Sequence, residues 1–476
     1  MKTIFKTSLM IAAFCISGNL QAQTTFGQIQ NQISRGKDGI NRFDVKKDNV
    51  EFKGISVDLG GAFAMQFQAL NSANDQKTGT YTLTSTGKAV ETYKLNDLEN
   101  QFSLPAANMS FGAQLADGVR VNLDIYLSAR HHNETWVKGG YLQIDKLDFI
   151  EKDLLADFMK YTTIKIGQME NNYGDAHFRR SDNGNAIMNP FIDGNIMDAF
   201  QTDMGAEFYY NRNGFVSMLG ITNGKLNQSV AEIVPSVPTV NAPDPNTTIS
   251  PTFLVKLGYD KQIDKDLRVR ITGSLNHNSN MSSNPWSSDR AGSRYFGVMS
   301  HQEYKYDGKT LINNFNPTSY PTSGRFDPAF GNWYTALMFN PFLKYKGLEF
   351  FGTAEFAKGG DKKGVDTSRS ISQYTGDIVY RFGATEQFYV GGRYGTVSGK
   401  LSNADAKAVS INRFESSIGW FMTKNILAKL AYTSQNYKDY AELASNPASP
   451  SGTATSLNDL KGGKFSGLMF EAVIAF

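Results

Sequence analysis

The sequence predicts an all-β fold: a transmembrane antiparallel β-barrel of about sixteen strands, with short turns at one end and long loops at the other. Three observations carry this. Apolar and polar residues alternate with period two from Phe52 onward, with little helical periodicity. The connections between alternating segments are short and long by turns. The chain closes on an amphipathic segment whose last residue is Phe476.

Composition agrees. A length of 476 residues suggests several domains by size alone. Yet 44 glycines, 12% aromatic residues and a mean hydropathy of −0.37 suit one large β-protein. No apolar run is long enough for a membrane-spanning helix. The 48 Lys and Arg nearly match the 45 Asp and Glu, so no global basic surface argues for nucleic acid. One cysteine and five histidines exclude a disulfide scaffold and a cysteine-based zinc site.

Residues 1–22 read as a secretory signal: Lys2 and Lys6 precede the apolar stretch Leu9–Ile16, and Ala22 is a small residue at the cleavage point. Its removal takes away the lone Cys15 and two lysines, leaving 46 bases against 45 acids. The expected destination is the outer membrane of a Gram-negative bacterium, by the general secretory route. Residues 23–50 are expected to form a periplasmic segment, with a short helix near Gln28–Ile33, and residues 51–476 the barrel.

In Val119–Arg130, Val119, Val121, Leu123, Ile125, Leu127 and Ala129 face one way; Arg120, Asn122, Asp124, Tyr126, Ser128 and Arg130 face the other. Leu267–Asn276 and Tyr374–Phe382 repeat this design. Strands are expected near 52–70, 100–114, 118–130, 134–149, 161–170, 202–213, 214–223, 251–262, 266–279, 331–345, 346–358, 371–382, 386–398, 409–422, 425–437 and 463–476. The turn 151–160 is long enough for a helical turn, and the largest loops are 71–99, 171–201, 224–250, 277–330 and 438–462. A soluble sandwich has no reason to sort its loops by end. In the last strand Leu468, Phe470, Ala472, Ile474 and Phe476 share a face, the pattern read by barrel assembly machinery.

The segments GKDGINRFDVKKDN (36–49), GGAFAMQFQALNSAN (60–74), NNYGDAHFRRSDNGNA (171–186) and NPFIDGNIMDAF (189–200) resemble porins of the Bacteroidetes outer membrane, akin to the phosphate-selective porin O and P group. The resemblance implies a sixteen-stranded barrel, a homotrimer and an inward-folded loop that narrows the pore. A barrel of that size leaves an aqueous channel, so the expected function is passive diffusion of small hydrophilic solutes or ions. No enzyme activity and no cofactor are expected; the partners are outer-membrane lipid, lipopolysaccharide and the assembly machinery.

Parity places Arg120, Arg130, Lys165, Lys256, Arg268, Arg270, Arg381, Arg393, Arg413 and Lys429 inward. It also places Asp58, Asp124, Asp145, Asp203, Glu207, Glu349, Glu355, Asp377, Glu415 and Glu471 there. The two sets are equal in number. That departs from the basic excess the resemblance implies and puts phosphate selectivity in doubt.

The loop 171–201 is the candidate constriction. Asp175, His177, Arg179, Arg180 and Asp182 cluster between Gly174 and Gly184, and Ile187, Met188, Phe191, Ile192, Ile196 and Met197 need a wall to pack against. The competing reading is a solvated outer loop. His131, His132 and Glu134 lack the helical spacing of a zinc site. A second functional class also fits: a surface platform binding a partner through loop 277–330, which carries Trp286, Tyr295, Phe296 and Tyr304.

Overall fold

In strands that face lipid on one side and a lumen on the other, alternation must continue without interruption, and sixteen segments satisfy this. The computed structural model describes residues 29–44, 47–77, 79–82, 89–92, 94–128, 132–181, 184–228, 250–287, 294–301, 304–306, 311–313, 323–360, 368–401, 407–441 and 460–476. Residues 1–22 with Ala22, and also Arg130, His131 and Asp182, lie outside these. Of His132, Glu134 and Tyr304 only the backbone is described.

The barrel strands are β1 (Ser56–Ala73), β2 (Gln101–Ala116), β3 (Val119–Ser128), β4 (His132–Ile144), β5 (Thr162–Glu170), β6 (Thr202–Arg212), β7 (Phe215–Thr222) and β8 (Thr252–Gln262). They continue as β9 (Leu267–Asn278), β10 (Trp333–Tyr345), β11 (Leu348–Gly360), β12 (Arg369–Phe382), β13 (Phe388–Gly399), β14 (Val409–Thr423), β15 (Ile426–Lys438) and β16 (Lys464–Ala475). Each pairs antiparallel with its sequence neighbours, and β1 pairs with β16. Closure leaves no free edge strand, so most strand backbone groups pair within the sheet. Two small ribbons in the long loops, Gly79–Thr82 with Ala89–Thr92 and Tyr304–Tyr306 with Leu311–Asn313, were not foreseen.

The seam runs from Ala62 opposite Ala475 to Ala73 opposite Lys464. It is extended by Phe476 N–H donating to the Gly61 carbonyl (2.9 Å) and Gly61 N–H to the Phe476 carbonyl (3.0 Å). A Cβ on Gly61 would lie 2.9 Å from the Phe476 ring, so glycine is what lets the terminal aromatic lie there. As expected, Leu468, Phe470 and Phe476 are exposed on the outer face, while Phe465, Met469, Glu471 and Val473 are buried inside.

Leu123, Leu257, Ile271, Ile378, Ile418 and Leu430 also stand exposed on the outer face. Such an apolar band around a barrel with a charged inner face is built for lipid. The connection between β4 and β5 carries the expected helical turn, Ala156–Met159. The short helix expected near Gln28–Ile33 is not formed over the described residues 29–33; the nearest helical turn is the 3-10 turn Lys37–Gly39. Gln30 instead bonds the first short turn through the Gln114 side chain and Gly118 N–H.

One register shift matters for the lumen. Asp124 lies opposite Gly139 but Ile125 opposite Val137, so Lys138 is the extra residue of a bulge. Bulges re-aim side chains, and Lys138 is buried against the Tyr126 and Phe200 rings although alternation would send it outward.

The lipid-face assignment predicts that Ile418→Arg, near the middle of β14, costs about 2–4 kcal/mol. The check is folding into lipid vesicles by urea titration; an unchanged midpoint would show that this face does not meet lipid.

Candidate functional site

Several inward charges bond residues 171–201: Lys256, Arg270, Arg393, Arg413 and Lys429. The Asp175 carboxylate accepts from Arg270 Nε (2.8 Å) and Nη2 (2.9 Å), from Thr272 Oγ1 (2.7 Å) and from Lys256 Nζ (3.2 Å). Burial alone would raise this carboxyl's pKa; Arg270 and Lys256 outweigh it and hold it below the usual carboxylate range. Gly174 makes the approach possible: its φ is +68°, and a Cβ there would run into the Met338 sulfur.

Arg179 pairs with Glu349 (3.4 Å) and Asp377 (3.6 Å), donates to Asn41 Oδ1 (2.8 Å), and lies 4.7 Å from the Phe351 ring centroid. Arg180 pairs with Asp198 (2.7 Å) and stacks on Phe200. Asp175, Arg179 and Arg180 are 0%, 4% and 1% exposed. His177 Nε2 donates to Asn172 Oδ1 (2.8 Å), and burial, with Lys256 adding to it, keeps the imidazole neutral well below its ordinary pKa.

Further along the loop, strand cations cap backbone carbonyls. Lys429 donates to the carbonyls of Ala186, Asn189 and Phe191 at 3.0–3.3 Å and pairs with Glu471 (2.5 Å). Arg393 and Arg413 donate to the carbonyls of Asp193 (2.8 Å) and Gly194 (3.1 Å), and Tyr389 to that of Pro190 (3.0 Å). Gln373 holds Met197 at both backbone groups, at 2.6 and 2.7 Å. Such bonds are what buried loop backbone requires.

The six apolar loop residues are all buried, Ile187, Met188 and Phe191 against inner-wall Ala62, Ala64, Val379, Leu427, Val473 and Ala475. These six loop residues are therefore packed and not exposed to solvent.

Two other segments join it. Phe43 packs on Phe342, Phe351 and Phe178 (centroids 5.2, 6.3 and 5.9 Å), and Asp44 pairs with Arg270 (2.5 Å). Residues 29–44 thus cross the short-turn mouth. From the long loop before β10, Trp286 donates to Glu355 (3.1 Å), Tyr295 donates to Glu415, and Arg325 pairs with Asp193 (3.0 Å). Trp286 and Tyr295, read from sequence as surface recognition residues, are buried.

Two cavities lie among the described residues on the β3–β9 side. A cavity of about 1200 Å³ sits at the short-turn end beneath β3–β9, bordered by Asp44, Lys47, Asp145, Tyr161, Thr163 and Arg270. A smaller one of about 190 Å³ continues along β3–β6, bordered by Asp124, Lys138, Tyr141, Lys165, His177, Glu207 and Tyr209, and also by Asp44. Asp44 is common to both.

Of the residues assigned inward from sequence, Arg120, Lys256, Arg270, Arg381, Arg393, Arg413 and Lys429 do turn inward but are covered. Arg120 bonds Gln143, Arg268 pairs with Asp260, and Arg381 with Glu349. Asp124, Lys165, Glu207 and His177 border the small cavity. Lys138 and the Asp44 junction were missed; the bulge hid the first, and nothing in the sequence marks the second. Among the described residues no group of three or more His, Cys, Asp or Glu side chains is placed to hold a metal ion.

No protein-family model and no curated protein matches the chain. Among solved structures the fold is similar to an anion-selective porin from Comamonas acidovorans, with 9% identity, TM-score 0.47, and coverage of 89% of this chain and 100% of that one. It is also similar to the outer membrane channel DcaP of Acinetobacter baumannii, with 10% identity, TM-score 0.46, and coverage of 90% and 99%. Pseudomonas putida OprB gives 10% identity, TM-score 0.45, and coverage of 89% and 94%. At such identities these likenesses define no function.

Two outcomes are expected. Asp175→Ala takes the carboxylate from Lys256, leaves Arg270 with Asp44 and Asp260, and lowers stability by about 3–5 kcal/mol, read as a lower urea midpoint; a wild-type midpoint would remove the anchor. His177 takes up a proton on unfolding near its ordinary pKa of about 6.5 but not when folded, so the unfolded state binds more protons and stability falls as pH drops below that value. His177→Gln should flatten the fall in midpoint between about pH 7.5 and 5.5; an identical slope in the variant would refute it.

Proposed function

We propose that the chain is an outer-membrane porin: a water-filled channel for passive diffusion of small hydrophilic solutes or ions, narrowed by the loop 171–201. The observation that carries this reading is the closed sixteen-strand barrel, apolar outside and charged inside, with a cavity of about 1200 Å³ at its short-turn end. In this reading the short turns and residues 29–50 face the periplasm, and β16 is the segment that assembly machinery recognises.

The loop narrows the lumen through its bulk, and Asp175, Arg179 and Arg180 act by holding it in place. The solute path runs off-centre, along β3–β6, where the smaller cavity lies between the wall and the loop. Acids and bases both line this path, which supports a channel for mixed small solutes over one built for phosphate.

Planar-bilayer recording of the purified chain tests the reading. Discrete conductance steps are expected, smaller than those of an unobstructed barrel of this size; an electrically silent barrel would overturn it.

A further inference from the structure

Lys165 sits on β5 at the small cavity, with its ammonium 5.3 Å from the Tyr141 ring centroid and 5.0 Å from that of Tyr209. Among the described residues it makes no hydrogen bond and no ion pair. It differs in this from the other inward strand cations: Arg120, Lys256, Arg268, Arg270, Arg381, Arg393, Arg413 and Lys429 are each bonded to the wall or the loop.

The carboxylates facing the same cavity already have donors or cations. Glu207 lies directly opposite Lys165 in register, but its oxygens accept from Asn172 N–H (3.0 Å) and from the Tyr209 hydroxyl. Asp44 is held by Arg270 and Asn172, Asp124 accepts from Asn122 (2.6 Å), and Glu170 has Arg180 and His177 at 3.8 Å. The oxygens of these acids are therefore taken up by other donors, and the Lys165 ammonium contacts none of them directly. A half-buried ammonium with two ring faces and no anion in direct contact leaves room for one from solution.

We infer that Lys165, framed by Tyr141 and Tyr209, is the anion subsite of the path, where the oxyanion of a small carboxylate- or phosphate-bearing solute docks on its way through. This rests on the channel reading and deepens it: Lys165 sets anion preference at the narrow part, against a mouth bordered by several acids.

Because Cys15 is the only cysteine and lies within residues 1–22, a chain starting at Gln23 has no thiol background. The test is Lys165→Cys in planar bilayers under a potassium chloride gradient, with folding checked by gel mobility before and after heating. The chloride-to-potassium permeability ratio should fall about fivefold, the factor that a unit charge at contact distance in water supplies. A thiol reagent carrying an ethylammonium group should restore it, and one carrying a sulfonate should lower it further.

Acetate and phosphate are the probes for the solute class. One of them should reduce chloride conductance in the wild-type chain and not in the variant: acetate assigns a carboxylate, phosphate a phosphate. An open channel with an unchanged ratio, no response to either reagent, or no effect of either anion overturns the subsite and leaves the channel standing. A wild-type chain without conductance steps overturns the channel itself.

Discussion

The interior of this barrel depends on the buried ion cluster in which Asp175 meets Arg270 and Lys256, with Asp44 joining from the N-terminal segment. An ion removed from water is costly unless its partners are close and its remaining valences are filled. Here two bases on adjacent strands meet two acids from segments far apart in sequence. The cluster therefore forms only when loop 171–201 and residues 29–44 are both seated. It specifies one arrangement of the lumen more than it adds net stability, since such clusters gain little over apolar packing.

The rest of the filling follows from that seat. Once the loop is seated against β9 and β10, its backbone carbonyls must find donors away from water. The inner wall supplies them in strand order: Gln373 on β12, Tyr389 and Arg393 on β13, Arg413 on β14, Lys429 on β15. The near equality of acids and bases in the chain is explained the same way. Most inward charges serve fixed protein partners, so the count of bases facing inward says little about what passes through.

The strand positions were legible because lipid on one side and charge on the other force strict alternation, and all sixteen barrel strands fall where alternation places them. The loop's need for a wall was legible in Ile187, Met188, Phe191, Ile192, Ile196 and Met197. The pairing of inward charges was not: Lys429 and the loop carbonyls it caps are some 240 residues apart, and no local pattern links them. Lys138 escaped because a bulge breaks parity for one residue. Phe43 and Asp44 escaped because a non-periodic segment carries no signal of burial. Trp286 and Tyr295 misled because a loop aromatic looks the same whether it faces a partner or a lumen.

The cavity of about 1200 Å³ lies at the short-turn end of the described barrel, and a difference between its two mouths can be measured. Polymer exclusion in planar bilayers, with polyethylene glycols of graded size added to one side at a time, compares the two entrances of one channel. The account predicts that glycols entering from the short-turn side reach the cavity of about 1200 Å³ and lower conductance at sizes that have no effect from the long-loop side. Equal size limits from both sides, with large polymers entering freely, would contradict a lumen filled by its own loops.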